Sequence, residues 1–178
     1  MVAEDMHFRP SVREAVACIS RGEVGEPLYL LVHAGGIRRP QGWAADKIRM
    51  GGGVLIDIGV HYIRGLRLLM GEPDRVLASR SMQINTKMLG EDSVHLIFSS
   101  RFGWEAAMLL TWSSPRGNLP DMVLAGDEGT LHLWPGKRYL VLSRRNTLAA
   151  ADYFFCSPLL VTGEIDLATD ATNPHHAP

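Results

Sequence analysis

Three successive glycines, Gly51 to Gly53, lead directly into Val54-Leu55-Ile56-Asp57-Ile58-Gly59-Val60-His61, and this run constrains the fold more than any other. Glycine admits backbone angles that other residues avoid, so the triplet marks a tight turn. The segment after it is periodic: Leu55, Ile58, Tyr62, Leu66 and Leu69 recur at helical spacing until Gly71 and Pro73 end the pattern. The spacing predicts a helix over about 54–70, in which side chains at i and i+4 share a face. Asp57 and His61 form such a pair. A carboxylate beside an imidazole after a glycine turn is suited to proton transfer. The same arrangement arises without function when an acid in a first turn complements the helix dipole and a histidine simply packs. Spacing alone leaves both readings open.

Upstream, Ser11 and Glu14 fit a capping box, and Val12, Ala15, Val16 and Ile19 then make one apolar face that stops at Gly22. After Gly25-Glu26-Pro27, residues 28–33 read as a strand. A loop rich in Gly, Arg and Pro connects it to the glycine run. Downstream of Pro73 the period becomes two. Val76, Ala78, Met82 and Ile84 share one side of an extended segment, as do Val94, Leu96 and Phe98. Further strands are expected over 104–112, 122–126, 130–134 and 139–143, with turns at Gly126-Asp127-Glu128-Gly129 and Pro135-Gly136. Helices first and strands afterwards predict an α+β fold: an open, mainly antiparallel sheet with helices on one face. From about Asn146 the alternation fades, and residues 146–178 read as an irregular tail.

At 178 residues and 46% apolar content, the chain suffices for one domain with an ordinary core. A formal charge of −1 and a pI near 6.6 supply no basic footprint, which argues against nucleic acid. No apolar run approaches membrane-spanning length and no secretory signal is visible, so a soluble cytoplasmic protein is expected. Cys18 and Cys156 stand far apart outside any C-x-x-C pattern, consistent with reduced thiols, although spacing leaves one disulfide open. The seven histidines form no close ligand pattern, so no metal site is expected, and no G-x-S-x-G elbow supports a nucleophilic serine.

The string from Gly42 to Val76, with Gly51 to Gly53, Asp57-Ile58-Gly59-Val60-His61 and Gly71-Glu72-Pro73, resembles the C-terminal, substrate-side domain of the Gfo/Idh/MocA oxidoreductases. Trp43 and Asp46 fall where such sequences often carry them. The resemblance runs from about residue 1 to about 141. It implies NAD or NADP chemistry on a sugar or polyol, and association into homo-oligomers through the sheet face. Members of the family begin with a Rossmann domain and a Glu-Lys-Pro lysine, and this chain has neither a G-x-G-x-x-G run nor that lysine. Residues 1–10 read as the last strand and exit of such a domain, 11–145 as the substrate and oligomerisation domain. The chain alone is therefore expected to bind no dinucleotide.

The resemblance implies that His61 is the acid/base, with Asp57 orienting the ring, favouring its charged form, or binding a substrate hydroxyl. It places Lys47, Trp43, Tyr62 and His7 as candidate substrate contacts. Each has a plainer reading: a solvated cation, core packing, helix packing and a surface residue. Ala44 stands where relatives often carry arginine. Two functions remain: the substrate half of a dehydrogenase, inactive alone, or a binding and oligomerisation module that has left catalysis behind.

Overall fold

Alternation along each strand decides which side of the sheet is buried. In the computed structural model, β1 (Pro27–Gly35) buries Leu30, Val32 and Ala34 and exposes Tyr29 and Leu31. β3 (Ser93–Ser99) buries Val94, Leu96 and Phe98 and exposes His95 and Ile97. β4 (Glu105–Thr111), β5 (Met122–Gly126), β6 (Gly129–Leu133) and β7 (Leu140–Arg144) add Met108, Leu110, Leu124, Leu131 and Leu142 to the same buried layer. With β2 (Arg75–Arg80) and β8 (Val161–Glu164) they form an eight-stranded sheet in the order β2-β3-β4-β1-β5-β6-β7-β8. The described residues are 4–80, 83–84, 88–115 and 117–144, with the backbone of 161–164. Met82, Cys156, His175, His176 and most of the expected tail lie outside them.

The sheet is mainly antiparallel, as the turn-linked strands require. Among the described residues its parallel pair is β1 with β4, where Leu31 sits opposite Ala107 and Val32 opposite Met108. A parallel pairing needs a long crossover, and here the chain between the two strands supplies helices and two further strands. Helices α1 (Pro10–Ser20) and α3 (Val60–Met70) cover one face with Val12, Ala15, Cys18, Leu66, Leu69 and Met70. The expected fold class therefore holds. No helix among the described residues is long and apolar enough to cross a membrane.

Two local expectations differ. The capping box does not form: Pro10 opens α1 after Arg9, and Ser11 is buried within the first turn. Proline has no amide hydrogen to satisfy and its fixed φ suits the first helical position, so the helix starts two residues earlier than the capping box would place it. Glu14 instead reaches Arg21 at 2.8 Å. Residues 6–8 form a short 3-10 turn that leads into α1. β2 is an edge strand whose six residues are all exposed, so its alternation creates no buried side; Ile84 lies beyond it and donates its amide to Asp92 Oδ2 at 2.8 Å.

The glycine run has a direct structural cause. Its backbone crosses that of Gly90 and Glu91 so closely that a Cβ on Gly53 would lie 2.0 Å from the Glu91 carbonyl oxygen, and one on Gly90 would lie 2.4 Å from that of Gly52. The Glu91 carbonyl accepts from Val54 N at 2.8 Å, and its Oε1 accepts from Gly53 N and Leu55 N, each at 3.1 Å. A carboxylate from a distant loop thus satisfies the free amides at a helix start. Beyond it the expected single α-helix begins with a π-helical turn, Leu55–Gly59, before α3. The wider turn seats Gly59 against β4, where an added Cβ would meet Leu110 Cδ1 at 2.8 Å.

Burial also sets two titrations. Cys18 is a free, buried thiol pushed up to about 11, first by loss of solvent and then by Glu23. His132, opposite Val123 and Val141, is held below its ordinary value by burial. The backbone crossing gives the sharper test. Gly53→Ala is expected to lower unfolding free energy by more than about 2 kcal/mol in urea denaturation, because backbone must move. Gly52→Ala, whose Cβ meets the Ile56 side chain at 3.2 Å, is expected to cost less than about 1 kcal/mol.

Candidate functional site

The site begins where β1 ends. A Cβ on Gly35 would fall 1.8 Å from the Thr111 carbonyl oxygen, so only glycine lets the chain fold back over the end of β4 here. Gly36 N then donates to Thr111 O at 2.8 Å and Arg38 N to Trp112 O at 2.9 Å. Fastened in this way, the Arg38 guanidinium lies over the Trp112 ring, 4.9 Å from its centroid, and its Nη1 reaches Asp57 Oδ2 at 2.6 Å. Residues 35–38, Ile58 and Tyr62 of the helix, and Trp112 enclose a cavity of about 360 Å³. That volume is within the range of small-molecule sites. The Tyr62 hydroxyl donates to Asp121 Oδ2 at 2.7 Å, and with Arg38 it gives the wall a polar as well as an apolar part.

His61 is engaged elsewhere. Its Nδ1 lies 2.9 Å from Glu4 Oε1 and 3.8 Å from Asp5 Oδ1. Glu4 Oε1 also accepts the Met6 amide at 2.9 Å, and Asp5 Oδ2 pairs with Arg9 at 2.7 Å. No direct hydrogen bond joins Asp57 to His61, and each side chain is turned to a partner from another segment. A shared helix face permits such a contact without enforcing it. Here a cation 19 residues upstream takes the carboxylate, and a carboxylate 57 residues upstream takes the imidazole.

Of the other candidates, Tyr62 lines the cavity. Trp43 stands 63% exposed on the short turn Gly42–Ala45, and Lys47 is exposed in α2 (Lys47–Met50), which Asp46 caps through Ile48 N at 2.9 Å. Neither is part of the cavity wall. His7 belongs to a second, smaller cavity of about 190 Å³ between α1 and α3, with Val12, Val16 and Leu68. Sequence reasoning passed over Arg38, Trp112, Glu91 and Glu4. Arg38 had a signal in the Gly35-Gly36 pair just before it, while the others act across long separations that no local pattern records.

The glycine-rich helix start is not a free phosphate cradle. Pyrophosphate is held by free backbone amides at a glycine-rich helix start. The glycine-rich start here presents Gly53 N, Val54 N and Leu55 N, and all three are already bonded to Glu91. Glu4, Asp5 and His61 bring three potential ligand atoms within 4.8 Å of one another, but Asp5 is paired with Arg9 and Glu4 with the imidazole.

The comparisons with known proteins point one way. The family model described as the GFO/IDH/MocA C-terminal domain matches residues 12–132. The chain is 25% identical over 165 residues to D-xylose 1-dehydrogenase (NADP(+)) of Haloarcula marismortui, covering 86% of this chain and 45% of that protein. It is 24% identical over 157 residues to D-apiose dehydrogenase of Paraburkholderia graminis, covering 84% and 41%. The chain thus spans less than half the length of these curated relatives. Among solved structures, levoglucosan dehydrogenase in complex with NADH and L-sorbose shares the fold at a TM-score of 0.72 and 23% identity, over 84% of this chain and 44% of that one. An NAD binding oxidoreductase from Klebsiella pneumoniae does so at 0.69 and 23%, over 82% and 43%. Because the matched residues take in the glycine run, the π turn, α3 and the sheet from β1 into β6, the chain belongs to the GFO/IDH/MocA family, as its C-terminal domain.

Proposed function

We propose that this chain provides the sugar-binding and proton-transfer side of an NAD(P)-dependent sugar dehydrogenase, and that a separate domain holds the dinucleotide. The observation that carries the reading is the cavity beneath the 35–38 loop. Ile58 and Tyr62 line it, and Asp57 and His61 sit one position before each of them on the same helical segment. Asp57, gripped by Arg38, is an acceptor for a substrate hydroxyl. His61 takes or returns the hydroxyl proton, since an imidazole exchanges protons near neutral pH. Trp43 and Lys47, exposed on the segment leading to the helix, are the outer substrate contacts in this reading. The likeness to a D-xylose and a D-apiose dehydrogenase supports a small polyhydroxylated substrate.

Titrating the labelled chain with D-xylose tests the site without requiring turnover. Amide shifts are expected at Gly36, Arg38, Ile58 and Tyr62 at millimolar sugar, and Asp57→Asn should weaken binding about 10-fold through loss of a charged acceptor. Shifts confined to the outer sheet face, or none, would reject the pocket.

The same reading includes self-association through that outer face. Leu77, Ile97 and Leu31 are 72%, 54% and 48% exposed, and with Ala107 and Val123 they make one continuous cross-strand row. An apolar row of this kind favours a second sheet against it. Light scattering at micromolar concentration should give at least a dimer, and Ile97→Glu should give a monomer of unchanged fold. A monomeric parent chain would remove the interface.

A further inference from the structure

We propose that Glu4 is the positioning residue of His61, fixing the imidazole as its Nδ1–H tautomer and leaving Nε2 as the nitrogen that exchanges protons with a ligand. The inference rests on His61 being the acid/base of the site, but its geometry stands apart from that role. An ionised carboxylate only accepts hydrogen bonds, so the 2.9 Å contact between Glu4 Oε1 and Nδ1 requires the proton on Nδ1. Glu4 is itself held in place: the Met6 amide donates to the same Oε1 at 2.9 Å, at the start of the 3-10 turn that precedes α1.

Two further features distinguish this contact from a surface ion pair. Glu4 Oε2 is buried without a hydrogen-bond partner, so the carboxylate is arranged to serve the amide and the imidazole through one oxygen while its other goes unsatisfied. The neighbouring acid is not equivalent, because Asp5 Oδ1 is 3.8 Å from Nδ1 and its Oδ2 is committed to Arg9 at 2.7 Å. His61 keeps 40% of its side chain exposed, and Nε2 has no hydrogen-bond partner among the described residues. The ring is thus anchored at one nitrogen and open at the other, as a proton-transfer group must be. In water the neutral side chain favours the opposite tautomer, with the proton on Nε2, so the proposed state is one the protein has to impose.

Nitrogen-15 shifts of the two ring nitrogens of His61, recorded on the whole chain at alkaline pH, read this directly. The unaltered chain is expected to show a protonated Nδ1 and a bare Nε2. Glu4→Gln should preserve that pattern, since an amide oxygen can still accept from Nδ1–H, and Glu4→Ala should return the ring mainly to the Nε2–H form. Asp5→Asn should leave the tautomer unchanged. An Nε2–H ring in the unaltered chain, or an Nδ1–H ring that survives Glu4→Ala, would overturn the proposal. Failure of sugar to bind would instead count against the catalytic reading and leave these shifts as they are.

Discussion

The arrangement depends on one backbone crossing, where residues 52–54 pass over Gly90 and Glu91. Glu91 receives three amides from the start of the helical segment, and no side chain fits between the two strands of chain at Gly53. The next residue carries the constraint to the opposite wall of the cavity. Asp92 O accepts from Trp112 N at 2.8 Å, and its buried carboxylate accepts from Ser113 Oγ at 2.7 Å. Trp112 in turn receives the Arg38 amide on its carbonyl and the Arg38 guanidinium on its ring. A single two-residue stretch before β3 therefore fastens both the helix that bears Asp57 and His61 and the loop that bears Arg38. Satisfying buried polar groups in this manner leaves few alternative arrangements.

The sheet supports this clamp by being two-sided in character. Its helix-covered face is closed by leucine, methionine and valine side chains, whereas its outer face carries both a row of exposed apolar residues and polar ones such as His95. Antiparallel sheets tolerate such asymmetry. The parallel β1–β4 pair lies where it matters most, since the ends of these two strands, at Gly35 and Thr111, touch directly and begin the cavity. The exposed edge strand β2 is remote from that point in the strand order.

Much of this was legible in the amino-acid sequence, because period-two alternation and turn residues are local signals. The strands around Leu30, Leu96, Leu124 and Leu131, the helix ending before Gly71 and the family likeness can each be read from short stretches. The parallel pairing was not legible, since β4 could have joined the sheet at either edge without altering its own pattern. Nor were the partners of the two candidate residues. Asp57 and His61 look like a pair on a helical wheel, and what separates them is Arg38 and Glu4, which arrive through tertiary contacts. The glycine triplet reads locally as a turn, while its tightest member answers a close approach by a segment 38 residues away.

This division of parts makes a claim about where the cofactor can be held. The helix start that looks most like a phosphate cradle is filled by Glu91, so a dinucleotide finds no free amides there. Calorimetric titration of the chain with NAD and with NADP tests this most directly. The account predicts no saturable heat for either nucleotide at micromolar concentration. Micromolar binding of either one would contradict it.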